Sequence, residues 1–175
     1  GFNLKNTEKL LNLNRNIALD ANASFTKEDC LFIQETSGFQ NLMYIEQPLE
    51  IGNFGILKNG NSVNWMADED CQDITFLEKL KPHYSSINIK LMKCGGLTPA
   101  LEMITEAKKL GYKIMLGCMT ESSIGISAGC AIAGLLDFAD LDGANLISND
   151  YATGSFVDNG KIILSEKPGL GIALL

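Results

Sequence analysis

The chain has a single histidine, His83. A nucleophilic site built on a Ser-His-Asp or Cys-His pair would have to run through it. It lies in KPHYSS beside Pro82, a turn context that points to a surface side chain. There are five cysteines (Cys30, Cys71, Cys94, Cys118 and Cys130), an odd count with no C-x-x-C spacing. That pattern argues against a disulfide framework and against a zinc site, and it fits reduced thiols in the cytoplasm. No apolar run reaches the roughly 18 to 20 residues of a membrane-crossing helix, and no basic-then-apolar signal pattern opens the chain. Basic residues are few: 14 Lys and Arg against 21 Asp and Glu, a net charge of −7, with no Lys/Arg-rich run. Nucleic acid and anionic membrane are therefore not expected as partners. Carboxylates and lysines remain as the groups to carry any chemistry.

What is present is an alternation. With 175 residues, 46% of them hydrophobic, the chain can bury one sizeable core. Short apolar runs at Asn16–Leu19, Leu42–Ile45, Val63–Ala67, Ile87–Leu91, Lys113–Leu116 and Ala139–Leu141 read as strands. Helical patterns fall at Thr7–Leu13, after Thr26, weakly at Phe54–Leu57, at Ile74–Leu80, at Pro99–Leu110 and at Ser123–Leu136. Thr26 with Asp29 three residues on is a capping-box-like helix start. Asn159-Gly160 between two apolar runs predicts a type I′ hairpin within Phe156–Leu164. Strand and helix alternating about six times imply βα units and a parallel sheet. The hairpin segment after Asn149 breaks the alternation.

Three successive strands end in an acid: Asp20, Glu46 and Asp68. Side chains at the ends of neighbouring parallel strands converge at one mouth, where α/β folds place their chemistry. Three convergent carboxylates repel one another unless a cation sits among them. An all-oxygen set of this kind suits Mg²⁺. The next strand, INIKLMKCGG, delivers Lys90 at its end, before a Gly-Gly break. A lysine near cations can lose its proton readily enough to serve as a base. Lys93 is expected on the opposite face of the same strand, outside the chemistry. Asn22 is expected on the face of Asp20, supporting it.

The motifs LDANASF, YIEQPL, ADED, INIKLMKCGG, GCMTESSIG and DLDG, in that order, resemble the barrel domain of the enolase superfamily, muconate-lactonizing subgroup. DLDG at Asp140–Gly143 resembles the Asp-x-Asp motif of its dipeptide epimerases, of the L-Ala-D/L-Glu type. The resemblance implies an α/β fold, a partial (β/α)₈ TIM-type barrel comprising roughly strands 3 to 8, with a C-terminal β-hairpin tail. Residues 1–149 would form the catalytic barrel portion. Residues 150–175 would form the tail, packing on a capping domain or on the barrel edge. Asp20, Glu46 and Asp68 would be Mg²⁺ ligands, and Lys90 one of two acid/base lysines. Cys118, Met119 and Thr120 would lie along the substrate. Asp140 and Asp142 would bind the α-ammonium group of a dipeptide, a pairing that charge-assisted hydrogen bonds support.

The implied reaction is Mg²⁺-dependent epimerisation of a dipeptide, by α-proton removal and return through an enediolate, with a murein-derived dipeptide as natural substrate. The rivals are o-succinylbenzoate synthase or N-acylamino acid racemase on the same scaffold, neither of which needs an ammonium-binding acid pair, or an inactive fragment. One feature of the family has no counterpart. Its second lysine lies on a K-x-K strand upstream of the first acid, whereas Gly1–Asn14 holds only Lys5 and Lys9. That strand and the N-terminal capping domain are expected upstream of Gly1. Apolar barrel exteriors often associate, so a homo-oligomer is expected.

Overall fold

The computed structural model describes residues 16–60 and 63–175, together with Lys9 and Leu11. The helix expected over Thr7–Leu13 otherwise lies outside the described residues, as does Lys5. The chain divides into two compact units, Gly1–Ile87 with Lys109–Tyr112 and Asn88–Lys108 with Lys113–Leu175. Six strands hydrogen-bond in chain order: β1 (Leu19–Asp20), β2 (Ile45–Glu46), β3 (Trp65–Ala67), β4 (Ser86–Lys90), β5 (Lys113–Gly117) and β6 (Phe138–Ala139). The pairings of β1 with β2, β2 with β3, β3 with β4 and β5 with β6 are parallel. This is the α/β order expected from the alternation of apolar runs.

In the first unit, Leu19 pairs with Ile45, Ile45 with Trp65, and Met66 with Ser86. The strands are short because polar turns follow each one at once. Helix α1 (Lys27–Glu35) begins at the expected capping box. The Thr26 hydroxyl accepts from the Asp29 N–H at 3.1 Å, and the Asp29 carboxylate accepts from the Thr26 N–H at 2.9 Å. Cys30 and Ile33 are its buried face. The stretch Ile74–Leu80 forms a 3₁₀ turn, Ile74–Phe76, followed by α2 (Leu77–Leu80). Trp65, Leu77, Leu80, Ile87 and Tyr84 have no exposed surface. Each such aliphatic side chain contributes about 1.5–3 kcal/mol by leaving water.

In the second unit, the Gly-Gly break is preceded by a helical turn, α3 (Leu91–Cys94), and followed by α4 (Leu97–Lys109). Gly95 takes the left-handed conformation that ends α3 (φ 98°). The helical pattern at Ser123–Leu136 divides into α5 (Ser123–Ala131) and a 3₁₀ turn, Ala133–Leu135. Small residues let α5 lie close on the sheet. A Cβ on Gly129 would stand 3.1 Å from Leu116 Cδ2 and 3.0 Å from Leu141 Cδ2. Asp150 caps α5 from outside the helix: its carboxylate accepts from the Ser123 N–H at 2.7 Å and hydroxyl at 2.6 Å, which hold it below the usual carboxylate range.

The segment after Asn149 carries β7 (Ala152–Thr153), β8 (Phe156–Asp158), β9 (Lys161–Ile163) and β10 (Ala173–Leu174). β8 and β9 form the expected hairpin, with Asp158 opposite Lys161. Asn159 and Gly160 both take positive φ, 48° and 73°, as a type I′ turn requires. No helix among the described residues is long and apolar enough to cross a membrane.

Replacing Thr26 with Ala removes one arm of the capping box. The expected loss is about 1 kcal/mol of unfolding free energy in urea titrations. A change below about 0.3 kcal/mol would show that α1 does not depend on its cap.

Candidate active site

The three acids lie in the first unit. Asp20 pairs in register with Glu46, so their side chains leave the same face of the sheet. Glu46 pairs in turn with Met66, and Asp68 follows Met66 by two residues on the same alternation. Glu46 and Asp68 are buried, at 7% and 5% exposure, while Asp20 is exposed. Two buried carboxylates and a third in register make an all-oxygen donor set, of the kind a hard divalent cation prefers. Among the described residues, no three His, Cys, Asp or Glu side chains gather into a ready metal-ligating group. The fit therefore rests on register and donor chemistry.

Asn22 is not on a strand face. It turns left-handed (φ 45°) and reaches Asp20 through its backbone, its N–H donating to Asp20 Oδ1 at 2.8 Å. A short polar loop right after the strand forces this turn. Asn22 and the following Ala23 (φ 59°) fold back so that the Ala23 N–H meets the Gln47 carbonyl at 2.7 Å.

The buried groups between the strand ends were not legible as site residues. Gln47, with no exposed surface and φ 30°, reaches across to the end of β3. Its side-chain carbonyl accepts from the Asp68 N–H at 3.0 Å and the Asp70 N–H at 3.2 Å. Its amide donates to the Leu49 carbonyl at 2.8 Å and to Asp70 Oδ2 at 3.0 Å. Asp70 also accepts from Tyr84 Oη at 2.8 Å and from the Gly52 N–H at 2.7 Å. Burial, and then the neighbouring Asp70 carboxylate, push the Tyr84 phenol far above its usual range, so it stays a donor. The only sequence signal was a glutamine directly after a strand-end acid.

The lysine and the acid pair lie in the second unit. Lys90 is the last residue of β4, half-buried, and shares a face with Asn88 by alternation. A Cβ on Gly117, the end of β5, would meet Asn88 Oδ1 at 2.6 Å, so Gly117 faces the Asn88 side. Leu116 points the other way, toward Gly129 of α5. Leu116 pairs with Ala139, which sets Asp140 beside Gly117 and on the face of Asn88 and Lys90. Leu141, buried against Gly129, confirms the alternation from the opposite side.

Cys118, Met119 and Thr120 form the loop that leaves β5. Gly143 admits it: a Cβ there would collide with the Met119 carbonyl oxygen and stand 3.0 Å from Cys118 Sγ. The Cys118 thiol is pushed up to about 11. Burial is the main cause; the Gly143 N–H opposes it, and the charges of Asp140, Glu121 and Asp142 add to it. Asp140 and Asp142 therefore act on the same small volume as Cys118. Both also line a concavity of about 260 Å³ with Asn145, Val157, Asn159 and Ile162. A larger hollow of about 490 Å³ lies in the first unit at Asn59, Glu78, Lys81 and Pro82, at the start of β4 and away from the strand-end acids.

Two further expectations about single residues change. Lys93 is not on a strand: the chain turns helical at Leu91, and Lys93 Nζ donates back to the Asn88 carbonyl at 3.1 Å. The run LMKC continues the apolar strand pattern in sequence, but the left-handed Gly95 and Gly96 that follow close it into a turn. His83 is half-buried. Its Nδ1 lies 2.8 Å from the Leu57 carbonyl, and its ring 5.1 Å from that of Phe54, so it is a packed structural group.

The model for the enolase C-terminal domain-like family matches residues 7–175. The chain belongs to that family. An L-Ala-D/L-amino acid epimerase of Maribacter sp. is 39% identical over 160 residues, which are 89% of this chain and 48% of that protein. An N-acetyl-D-glutamate racemase of Pseudoalteromonas sp. is 38% identical over 133 residues, 75% of this chain and 42% of that protein. A dipeptide epimerase from Methylococcus capsulatus, solved in complex with a Mg ion, superposes with a TM-score of 0.83 at 30% identity, over 98% of this chain and 53% of that one. The chain spans about half the length of the relatives it matches. Its fold is that of part of the family's (β/α)₈ barrel, with the additional antiparallel hairpins.

The raised Cys118 thiol gives a direct check on the acid pair. At pH 8, iodoacetamide should alkylate Cys118 about 100-fold more slowly than an exposed cysteine, because the thiolate fraction falls tenfold per unit of pKa. The rate should climb toward pH 11. Asp140→Asn with Asp142→Asn should speed the reaction several-fold at pH 8, as read by peptide mass spectrometry. Equal rates in both proteins would separate the acids from the thiol.

Proposed function

We propose that the protein carrying this chain is a Mg²⁺-dependent epimerase of dipeptides of the L-Ala-D/L-Glu type, an isomerase. The observation that carries this reading beyond the family is the acid pair: Asp140 and Asp142 border one concavity and share the electrostatics of Cys118. Paired carboxylates at a substrate loop suit a primary ammonium, which a dipeptide has and an N-acylated amino acid lacks. Several relatives are named for epimerisation of dipeptides, and one solved relative holds Mg.

Asp20, Glu46 and Asp68 are the residues that would hold the cation. A bound Mg²⁺ supplies charge stabilisation to the substrate carboxylate as its α-proton leaves. Lys90, as the neutral amine, takes the α-proton on one face of the α-carbon, or as the ammonium returns it there. The opposite face is served by a second acid/base group, so that removal on one side and return on the other invert the centre. Asp140 and Asp142 hold the dipeptide's amino end and thereby fix which α-carbon reaches Lys90. Cys118, Met119 and Thr120 lie along the substrate.

Full-length protein with L-Ala-L-Glu and Mg²⁺ in D₂O should lose the Glu α-proton signal by NMR and accumulate the diastereomer. Chelation of the metal should stop both. Lys90→Ala should lower kcat by roughly 10²–10⁴-fold. Absence of deuterium at the α-carbon would refute the proposal. The N-acetyl-glutamate racemase relative supports a second reading on N-acyl substrates. Asp140→Asn with Asp142→Asn decides between them: dipeptide KM should rise about 10-fold or more, from loss of charge-assisted bonds, with N-acetyl-glutamate turnover unaffected. Unchanged dipeptide kinetics would favour the second reading.

A further inference from the structure

We propose that the buried chain Gln47–Asp70–Tyr84 is a positioning device for the cation site, fixing the backbone from which Glu46 and Asp68 project. The inference rests on the proposal that these two carboxylates hold a divalent cation. Its basis is geometric. Gln47 follows Glu46 directly, and its side-chain carbonyl takes the N–H of Asp68 itself at 3.0 Å. One amide thus joins the residue after one carboxylate to the backbone of another. The amide cannot rotate without losing its bonds to Leu49 and Asp70. Asp70 is held in turn by the Tyr84 hydroxyl and the Gly52 N–H. Tyr84 belongs to the turn before β4 and is fully buried, so the network is anchored in the core.

Gln47, Asp70 and Tyr84 are, at 0%, 3% and 0% exposure, as buried as the aliphatic core. Buried polar groups cost stability unless fully bonded. The single carboxylate of Asp70 is satisfied by three donors without a cationic partner among the hydrogen bonds described. The backbone near the two acids also carries strain, at Gln47 with φ 30°, and such strain persists where the surroundings over-determine it. Outer groups that orient metal-binding residues commonly change affinity by 10–100-fold when altered.

The test compares Tyr84→Phe with Tyr112→Phe in the full-length protein. Tyr112 is the matched control: its hydroxyl donates to the Leu77 carbonyl at 2.7 Å, buried in the same unit but away from the strand ends. Mg²⁺ affinity is read by calorimetry on metal-free protein, and stability by thermal unfolding without metal. Tyr84→Phe should weaken Mg²⁺ binding about 10-fold, and Tyr112→Phe should lower stability while leaving the affinity within about twofold. Gln47→Glu, which sets a carboxylate against Asp70, should weaken binding further. If it does not fold, Tyr84→Phe decides alone. Affinity unchanged in Tyr84→Phe, or weakened equally in Tyr112→Phe, would overturn the proposal. Absence of Mg²⁺ binding in the unaltered protein would instead overturn the cation reading beneath it, and with it this inference.

Discussion

The first unit depends on one amide. Gln47 stands between the strand-end carboxylate Glu46 and Pro48, and its own backbone takes positive φ, 30°. Its side chain substitutes for the sheet beyond the strand ends: the carbonyl takes two N–H groups past β3, and the amide takes a carbonyl and a carboxylate. Parallel strands of two or three residues have few ladder bonds of their own. Without a side-chain clamp, the residues just past them would be held by turn geometry alone. Asp68, the first residue past β3, is one of them, and Gln47 itself directly follows Glu46, the last residue of β2.

The second unit solves the same problem by alternation and close packing. The sheet face that carries Asn88, Lys90, Gly117 and Asp140 is opposite the face on which α5 lies against Leu116 and Leu141. Gly129 permits the close helix, Gly117 makes room for Asn88, and Gly143 makes room for the Cys118–Met119 loop. At each, an added Cβ would meet its neighbour closer than ordinary van der Waals contact. Acids at Asp140 and Asp142 then sit where Cys118 feels both charges.

Much of this was legible because it is local. A capping box, an Asn-Gly turn, a period-two apolar run and an acid or lysine closing that run all act over a few residues. Asp20, Glu46, Asp68 and Lys90 could accordingly be placed at strand ends from spacing alone. The Gln47–Asp70–Tyr84 chain could not, because its partners are 23 and 14 residues apart. Asp150, which caps α5 from 27 residues away, carries no signal near the helix it serves. The turn at Leu91–Cys94 was hidden for another reason: LMKC reads as a strand continuing, and left-handed glycines after it decide otherwise. His83 looked like a surface residue beside a proline, yet the Leu57 carbonyl and the Phe54 ring give it a structural place.

The proposed function depends on whether the three strand-end carboxylates, Asp20, Glu46 and Asp68, share one cation. Crystals of the full-length protein soaked in Mn²⁺, a Mg²⁺ stand-in with its own anomalous signal, would test it most directly. A single anomalous peak coordinated by Asp20, Glu46 and Asp68 is the predicted result. A peak on other residues, or none at saturating Mn²⁺, would contradict the account.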